Sequence, residues 1–344
     1  MGGGPFAPPQ FQGLVTGLFL APNPAAAEAG QGGLPAQRAE LLVLSDWVRS
    51  ALAGNLRTYP LHLCDGSTRP GEQVLAHGLP LAYGGLPCEH VAFIGCHDNK
   101  TTWDQIVEKA AVTETAEERM RMAVLCLALT VLSQGVPFVH AGDDLLRSKS
   151  LDRDSYNSGD WFNRIDWTAA THNFGVGLPV STKNGGSWGY MGPLLAAAER
   201  IRPSTQQMQA ATAIFQALLR VRYSSPLFRL ASPGDVMRHL AFHNTGPEQN
   251  PGVIVMELTS APTAGGADGV YDPSYERLVT VFNCAPYGNT VPYPPGVPQG
   301  ASLQLHPDLE AAGDARLSSS APDDAARALR VPPRTAAVFV QRRQ

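Results

Sequence analysis

Two short clusters of polar residues follow apolar runs in this chain of 344 residues, and they are the best candidates for chemistry. His97-Asp98-Asn99 follows the run Phe93-Ile94-Gly95-Cys96, and Asp143-Asp144 closely follows the run at 136–140. Carboxylate, amide and imidazole groups together accept and donate hydrogen bonds to a polar ligand. The two clusters are therefore candidate parts of one polar binding site.

These clusters must be positioned by the elements that precede them. A helical segment lies between the two apolar runs, so the order strand, helix, strand predicts two parallel neighbours joined by a right-handed crossover. Both clusters would then emerge at the carboxyl edge of one sheet, where barrel enzymes place their active sites. Simpler roles are also open: Asp98 can cap the following helix while His97 orients it, and Asp143 and Asp144 can be turn residues.

A third polar stretch, Asp152-Arg153-Asp154-Ser155-Tyr156-Asn157, has the chemistry to hold a neutral sugar. Carboxylate, amide and guanidinium groups form fans of hydrogen bonds to hydroxyl groups, and an aromatic face packs on the apolar side of a sugar ring. The expected substrate contacts in this stretch are Arg153, Asp154, Tyr156 and Asn157. The alternative is an internal salt bridge of Arg153 with Asp152 or Asp154 that fixes the loop. The aromatic residues beyond the loop are interpreted as packing anchors: Trp161, Phe162 and Trp167.

The longest motif surrounds this loop. Residues 146–163 resemble the signature of pullulanase-type debranching enzymes of the α-amylase superfamily, and most closely the plant and algal limit dextrinases. His97-Asp98-Asn99 is similar to the strand-end motif with which that superfamily supplies the aspartate that stabilises the transition state. Further runs that resemble the same family cover much of the chain: 13–20, 52–57, 222–230 and 242–247.

The resemblance implies hydrolysis of α-1,6-glucosidic links in limit dextrins, pullulan or starch by a retaining mechanism, with Asp98 as a catalytic carboxylate. Asp98 would bind the hydroxyl groups beside the anomeric carbon, through contacts that strengthen in the transition state. By the same resemblance, His97, Asn99 and Asp143 would contact the substrate.

The family's other two catalytic groups are a nucleophilic Asp, in a Gly-Phe-Arg-x-Asp type motif, and a Glu general acid on the next strand. Neither motif occurs in this sequence, and both would lie upstream of residue 1. We therefore expect the chain to be the C-terminal part of such an enzyme and to be inactive alone. The alternative is a noncatalytic α-glucan-binding or regulatory protein derived from one. An isoamylase or a branching transferase is a third alternative, against which the runs at 147–150 and 152–156 argue.

Two positions depart from the family pattern. Lys100 stands where the relatives usually have Glu after the His-Asp-Asn, and Asp144 ends a triplet that usually reads Gly-Asp-Glu. A lysine near Asp98 would favour the ionised form of that carboxyl group. Either change would detune a subsite without abolishing the fold.

Composition limits the class of partner. The net charge of −4 gives no reason to expect nucleic acid or an anionic membrane, and the longest apolar stretch, 122–132, is too short to span a bilayer. The expected partners are an α-glucan and a missing N-terminal segment or chain that supplies the rest of the barrel. No cofactor is implied: calcium occurs in relatives, but no EF-hand type loop is present. Residues 1–6 lack the features of a signal peptide, and the resemblance points to a plastid.

The periodicity of apolar residues divides the chain near residue 230. Helices are predicted at 37–53, 117–134 and 205–222. Short β-rich runs follow at 253–256, 278–282 and 336–340, with turn-rich segments between them. Together with the resemblance, this predicts an α/β plus all-β architecture. Residues 1–229 would form the C-terminal part of a (β/α)8 TIM barrel, about its last two strands with their helices, and residues 230–344 an antiparallel β-sandwich domain.

Overall fold

The computed structural model describes residues 7–260 and 271–343. The expectation about a signal peptide at 1–6 and part of a turn-rich segment, 261–270, lie outside the described residues. The helices are α1 (Pro24–Ala26), α2 (Leu34–Leu52), α3 (Thr102–Lys109), α4 (Ala116–Val131), α5 (Asp160–Asn163), α6 (Ser181–Asn184), α7 (Trp188–Ala196), α8 (Ala198–Ile201), α9 (Thr205–Ser224), α10 (Pro233–His239), α11 (Pro307–Glu310) and α12 (Ala315–Ser318).

The strands are β1 (Pro60–His62), β2 (Thr68–Pro70), β3 (Leu75–Ala76), β4 (Leu79–Pro80), β5 (Val91–Ala92), β6 (Val136–Pro137), β7 (Leu240–His243), β8 (Val253–Thr259), β9 (Tyr275–Asn283), β10 (Asn289–Pro292), β11 (Gln304–Leu305), β12 (Ala321–Asp323), β13 (Ala328–Val331) and β14 (Thr335–Arg342). Helices α2, α4 and α9 confirm the three predicted helices. Strands β8, β9 and β14 confirm the three β-rich runs.

The chain forms two compact units. The first, called the helical unit below, comprises Met1–Gln37, Phe93–Leu127 and Val139–Phe215, and none of the strands above lies in it. Arg119 is buried there and closes the end of α3, because its guanidinium donates to the carbonyl oxygens of Ile106, Val107 and Ala111. These bonds satisfy carbonyl groups that lack partners within the helix.

The second, called the strand unit below, comprises Arg38–Ala92, Ala128–Phe138 and Gln216–Gln344. It contains an antiparallel five-stranded sheet in the order β11-β14-β9-β8-β7 and an antiparallel three-stranded sheet in the order β10-β13-β12. Both sheets contribute to one apolar core, with members that include Val255, Val281, Leu329 and Phe339. Alternate residues of the long strands face this core, as the pleat requires.

Strands β5 and β6 pair in parallel, with Val91 opposite Val136 and Ala92 opposite Pro137, which confirms the predicted parallel neighbours. The strands are shorter than the apolar runs suggested, since the run at 93–96 lies beyond β5. Pro137 has no N–H to donate, and each strand has one partner in the described residues, so the ladder is brief. Gly135 precedes β6 with φ 89°, and a Cβ there would lie 2.7 Å from the His90 carbonyl oxygen.

No helix within 7–260 and 271–343 combines the length and the apolar character needed to cross a membrane. Cys126 is buried within α4.

Candidate functional site

His97 and Asp98 project into solvent between β5 and α3. Their side chains are 82% and 80% exposed, and His97 Nε2 lies 3.4 Å from Asp98 Oδ2. Cys96 Sγ lies 3.2 Å from His97 Nδ1. Asn99 has a left-handed backbone, with φ 61°, which Asn adopts more readily than most residues. The carboxylate of Asp98 is therefore accessible to a ligand.

The helix that follows is capped by Thr101. Its Oγ1 accepts a hydrogen bond of 3.2 Å from the backbone N–H of Asp104, in the N-cap position of α3. A Thr or Asp side chain in this position satisfies one of the donors at the helix start. The alternative in which Asp98 caps this helix is therefore wrong, and the exposure of Asp98 needs another explanation.

Asp104, on the first turn of α3, is connected to the backbone of His97 through Lys149. Its buried carboxylate accepts hydrogen bonds from Ser148 Oγ and, at 2.8 Å, from the backbone N–H of Lys149. Lys149 Nζ in turn lies 3.5 Å from the His97 carbonyl oxygen. Burial raises the pKa of Asp104, and the hydrogen bonds from Ser148 and Lys149 oppose the shift. Burial also lowers the pKa of Lys149, against the attraction of Asp104.

Asp143 lies in a turn of the second cluster and is only 4% exposed. Thr102 Oγ1 donates to its Oδ2 at 3.0 Å, whereas its Oδ1 has no hydrogen-bond partner within the described residues. Burial raises the pKa of Asp143 to about 7, although the Thr102 bond and the charge of Arg147 act in the opposite direction. Asp143 is therefore a turn residue, as the simpler interpretation of this cluster predicted. A direct contact of Asp143 with substrate stays a prediction.

Lys100 is buried and contacts Glu108 and Tyr190. Its ammonium forms an ion pair with Glu108 and donates to the Tyr190 hydroxyl at 2.9 Å, all within the helical unit. Burial acts to lower the pKa of Lys100, but Glu108 and Tyr190 outweigh it and the pKa is raised. Lys100 is therefore paired with Glu108 and not with Asp98, where it was expected to favour the ionised carboxyl group.

Asp152 is the centre of the polar loop. It is fully buried, its Oδ1 accepts from the Asp154 N–H at 2.9 Å and from Asn184 Nδ2 at 3.0 Å, and its Oδ2 accepts from Ser158 Oγ at 2.7 Å. The loop is thus fixed by hydrogen bonds to a carboxylate. These bonds and an ion pair of Asp154 with Lys183 take the place of the alternative salt bridge of Arg153 with Asp152 or Asp154.

The exposed side of this loop carries Arg153, Tyr156 and Asn157. Lys183 Nζ, from α6, lies 3.0 Å from Asp154 Oδ2 and 5.5 Å from the centre of the Tyr156 ring. The structure thus brings three of the four predicted loop contacts to the surface and holds the fourth, Asp154, in an ion pair. The sequence analysis does not identify Lys183, because it lies 29 residues from Asp154 along the chain and an ion pair at that separation leaves no local pattern.

Two of the three aromatic residues interpreted as packing anchors are exposed. Phe162 is buried, but Trp161 is 60% and Trp167 is 64% exposed. Trp161 donates its indole N–H to the Val176 carbonyl oxygen at 3.1 Å. The packing interpretation is therefore wrong for Trp161 and Trp167. Residue type alone does not distinguish the two situations, because an indole suits a core and a wet surface equally.

The described residues contain no group of three or more His, Cys, Asp or Glu side chains placed to hold a metal ion. The site as described consists of hydroxyl, carboxylate, amide and cationic groups with exposed aromatic rings. Such groups can bind a neutral polyhydroxylated ligand, through hydrogen bonds and through contact with the apolar face of its rings.

Comparison with known proteins agrees with this chemistry. Residues 169–342 match the family described as alpha-1,6-glucosidases, pullulanase-type, C-terminal. The chain is 39% identical over 344 residues to pullulanase 1, chloroplastic, of Arabidopsis thaliana, a match that covers 100% of this chain and 35% of that protein.

Solved structures give the same result for the fold. Ligand-free PulA from Klebsiella pneumoniae matches with a TM-score of 0.88 and 34% identity, covering 100% of this chain and 31% of that one. The maltotriose complex of PulA from the same organism matches with a TM-score of 0.87 and 34% identity, covering 100% and 36%. The chain thus spans roughly a third of the length of the proteins it matches.

Proposed function

Because the chain belongs to the family of pullulanase-type α-1,6-glucosidases, we propose that it forms the C-terminal region of a starch-debranching glycoside hydrolase. The proposed reaction is hydrolysis of α-1,6-glucosidic links in limit dextrins, pullulan or starch. The observation that carries the proposal is the accessible carboxylate of Asp98 beside His97, in the same compact unit as the hydrogen-bonded loop from Asp152 to Asn157.

The proposed architecture is the end of a barrel followed by a sandwich. The parallel pair β5 and β6 would be the last two strands of a (β/α)8 barrel in residues 1–229, and the two antiparallel sheets with their common core would be the sandwich in residues 230–344. The support is the pairing of β5 with β6 and the shared apolar core of the two sheets. A missing segment or chain would supply the other barrel strands.

In the proposed mechanism Asp98 stabilises the transition state of a retaining double displacement. Asp98 would accept hydrogen bonds from hydroxyl groups beside the anomeric carbon, and these bonds strengthen as positive charge develops on the ring. His97 and Asn99 would fix the same sugar from both sides of Asp98. Retaining enzymes also need two further carboxyl groups about 5–5.5 Å apart, and the motifs for these are absent from this sequence. Residues 1–344 alone would therefore not hydrolyse glucan.

The other predicted contacts take roles that follow from their positions. Arg153, Tyr156 and Asn157 would contact the glucan directly, since their side chains are exposed. Asp154 would hold Lys183, whose ammonium lies over the Tyr156 ring, and would also contact the ligand. Asp143 would act in the turn beyond β6, where its hydrogen bond with Thr102 links the second cluster to the start of α3.

A second candidate is a noncatalytic α-glucan-binding or regulatory protein. The observation in its favour is the absence of the nucleophile and general acid motifs from the sequence. Both candidates share the α-glucan ligand and differ in whether Asp98 ever meets the other catalytic groups.

The experiment is a chimera in which this chain replaces the matching C-terminal region of Klebsiella pneumoniae pullulanase. The match over 100% of this chain at a TM-score of 0.88 makes the exchange structurally reasonable. We expect release of maltotriose from pullulan, and loss of that release in a chimera with Asp98→Asn. A folded chimera that binds glucan but has no activity above the truncated host would favour the noncatalytic candidate.

For location, we propose a plastid, supported by the name of the chloroplastic relative from Arabidopsis thaliana. Fractionation of source cells, with an antibody to residues 230–344, would test this: the signal should follow a stromal marker. A signal that follows a cytosolic marker would contradict it.

A further inference from the structure

Two exposed tryptophan side chains are held in fixed orientations by the same short segment. Trp161, on α5, donates its indole N–H to the Val176 carbonyl oxygen at 3.1 Å, and Trp188, the first residue of α7, donates to the Pro179 carbonyl oxygen at 3.0 Å. The side chains are nevertheless 60% and 38% exposed. The only polar atom of each indole is thus satisfied by the protein, which leaves carbon surface for a ligand.

The two anchor points are close together. Val176 and Pro179 are three residues apart, so their carbonyl groups lie within about 10 Å of each other even if the segment is extended. The exposed side chains of Leu178 and Val180 add apolar surface along the same segment. Contiguous apolar surface of this kind commonly marks a binding site.

The polar loop is hydrogen-bonded to α5, which carries Trp161, and to α6, which precedes the helix that begins with Trp188. On one side, Asn163 of α5 accepts from Ser155 Oγ at 2.8 Å and donates to the Ser155 carbonyl oxygen at 2.7 Å. On the other side, Asn184 of α6 donates to Asp152 at 3.0 Å, and Trp188 follows four residues later. The loop is therefore held to the helix that carries Trp161 and to the helix that directly precedes Trp188 along the chain.

We propose that Trp161 and Trp188 are two stacking positions of a platform that binds an α-glucan chain several glucose units long. The proposal rests on the function proposed above and adds residues that determine how the chain is held. A glucan suits the platform because its rings have an apolar face for the indoles and hydroxyl groups for the exposed Arg153 and Asn157. The cation of Lys183 is already paired with Asp154 at 3.0 Å.

The test is calorimetric titration of residues 1–344 with maltoheptaose, comparing Trp161→Ala and Trp188→Ala with the matched control Trp167→Ala. Trp167 is as exposed as Trp161, and neither of the two anchor carbonyls accepts from it. We expect Trp161→Ala and Trp188→Ala to weaken binding by roughly fivefold or more, the cost of removing an aromatic anchor, and Trp167→Ala to have little effect. Equal losses in all three variants, or no loss in any, would overturn the proposal.

Substitution by Phe covers the case in which an Ala variant unfolds. Trp161→Phe and Trp188→Phe keep a ring and remove the anchoring N–H, so binding should fall less than in the Ala variants. Tryptophan emission should shift with maltoheptaose in Trp167→Phe but not in the double variant of Trp161 and Trp188. A chimera inactive on pullulan, together with selective loss of maltoheptaose binding in these variants, would refute the proposed function and retain the platform. An active chimera, together with no binding of maltoheptaose to residues 1–344, would refute the platform and retain the proposed function.

Discussion

Thr102 Oγ1 donates a hydrogen bond of 3.0 Å to Asp143 Oδ2, and this bond joins the start of α3, three residues after Asn99, to the turn of the second polar cluster. Arg147 extends the connection, since it contacts His140 Nε2 at 3.2 Å and donates to the Asn163 carbonyl oxygen at 2.8 Å. The strand-end residues, the polar loop and the short helix that carries Trp161 are therefore mechanically linked within the helical unit. Changes in one part should be felt in the others.

The buried carboxyl of Asp143 should make stability depend on pH. Its pKa is raised to about 7 in the folded chain, so between about pH 4 and pH 7 the unfolded state loses the proton that the folded state keeps. Stability contributed by this group is present below pH 4 and is lost as the pH rises to 7. At about 1.4 kcal/mol per pKa unit, the loss has an upper limit of about 4 kcal/mol.

Asp143→Asn should remove this term, because an amide does not ionise. Asp104 shifts in the same direction and still contributes, so the parent and the variant must be compared at each pH. The melting temperature of the variant should fall less between pH 5 and pH 8 than that of the parent. Thr102→Val, which removes a bond that lowers the Asp143 pKa, should steepen the fall. Parallel curves for the parent and Asp143→Asn would show that Asp143 does not titrate in this range.

Residues 1–344 alone should not release maltotriose from pullulan. Removal of catalytic groups costs orders of magnitude in rate, and here the motifs for two are absent. Purified protein should be incubated with pullulan beside an Asp98→Ala variant. Release above the level of that variant would mean that other carboxylates, such as Asp98 with Asp154, form a working pair.

Asp98→Asn in an active chimera should lower kcat by at least about a hundredfold, a size typical of groups that stabilise developing charge. Dextrin binding should change little, since the contact is made mainly in the transition state. The matched control is Glu310→Gln, an exposed carboxylate on α11, which should have wild-type kinetics. An effect confined to KM would make Asp98 a positioning residue.

Local sequence patterns predicted the elements well where the regular spacing of apolar residues continues over a long segment. Helices α2, α4 and α9 and strands β8, β9 and β14 match their predicted segments, because each buries a face through regular spacing. The run at 93–96 did not extend β5, since strand length depends on partners and not on apolar character alone. The parallel pairing was predictable because it depends on the order strand, helix, strand along the chain and not on the exact length of each strand.

The candidate site was only partly predictable, because the ion-pair partners of its charged residues and the exposure of its tryptophans depend on the tertiary structure. His97 and Asp98 are exposed beyond the end of β5, and their contact with a substrate stays a prediction. The partners of Lys100 and Asp154, which are Glu108 and Lys183, lie 8 and 29 residues away along the chain. Ion pairs at such separations are set by packing between elements. The exposure of Trp161 likewise depends on how the segment at Val176 lies against α5, which no local pattern contains.

Asp152 should be the most sensitive residue of the polar loop. Asp152→Ala would leave the donors of Asp154, Asn184 and Ser158 without their acceptor, at a cost of about 1–3 kcal/mol for each that stays buried. Chemical denaturation should show a clear loss of stability, and maltoheptaose binding should weaken because Tyr156 and Asn157 lose their fixed positions. Asp160→Asn, an exposed neighbour on α5, is the control and should behave as the parent. Unchanged stability in Asp152→Ala would mean that water replaces the carboxylate.

Residues 230–344 should fold independently, whereas residues 1–229 should not. Strands β7–β14 and every residue of the shared core, from Val253 to Phe339, lie in the later segment. In the part that the structure describes, the earlier segment contains three two-stranded pairs, β1 with β2, β3 with β4, and the parallel pair β5 with β6. The exposed side chains of the parallel pair include Val91 and Val136, and its outer backbone groups have no partner strand in the described residues. Open edges and exposed apolar surface favour aggregation.

The two segments should therefore be expressed separately and compared by solubility and thermal unfolding. Residues 230–344 lose the hydrogen bond from Tyr59 to the Leu240 carbonyl oxygen and those from Arg49 to Asn244 and Gln249, so their melting temperature should lie below that of the whole chain. Coexpression with the first two thirds of Klebsiella pneumoniae pullulanase should bring residues 1–229 into solution, because its strands would cover the open edges. A monomeric 1–229 with a sharp unfolding transition of its own would show that this segment is self-sufficient and is no part of a larger barrel.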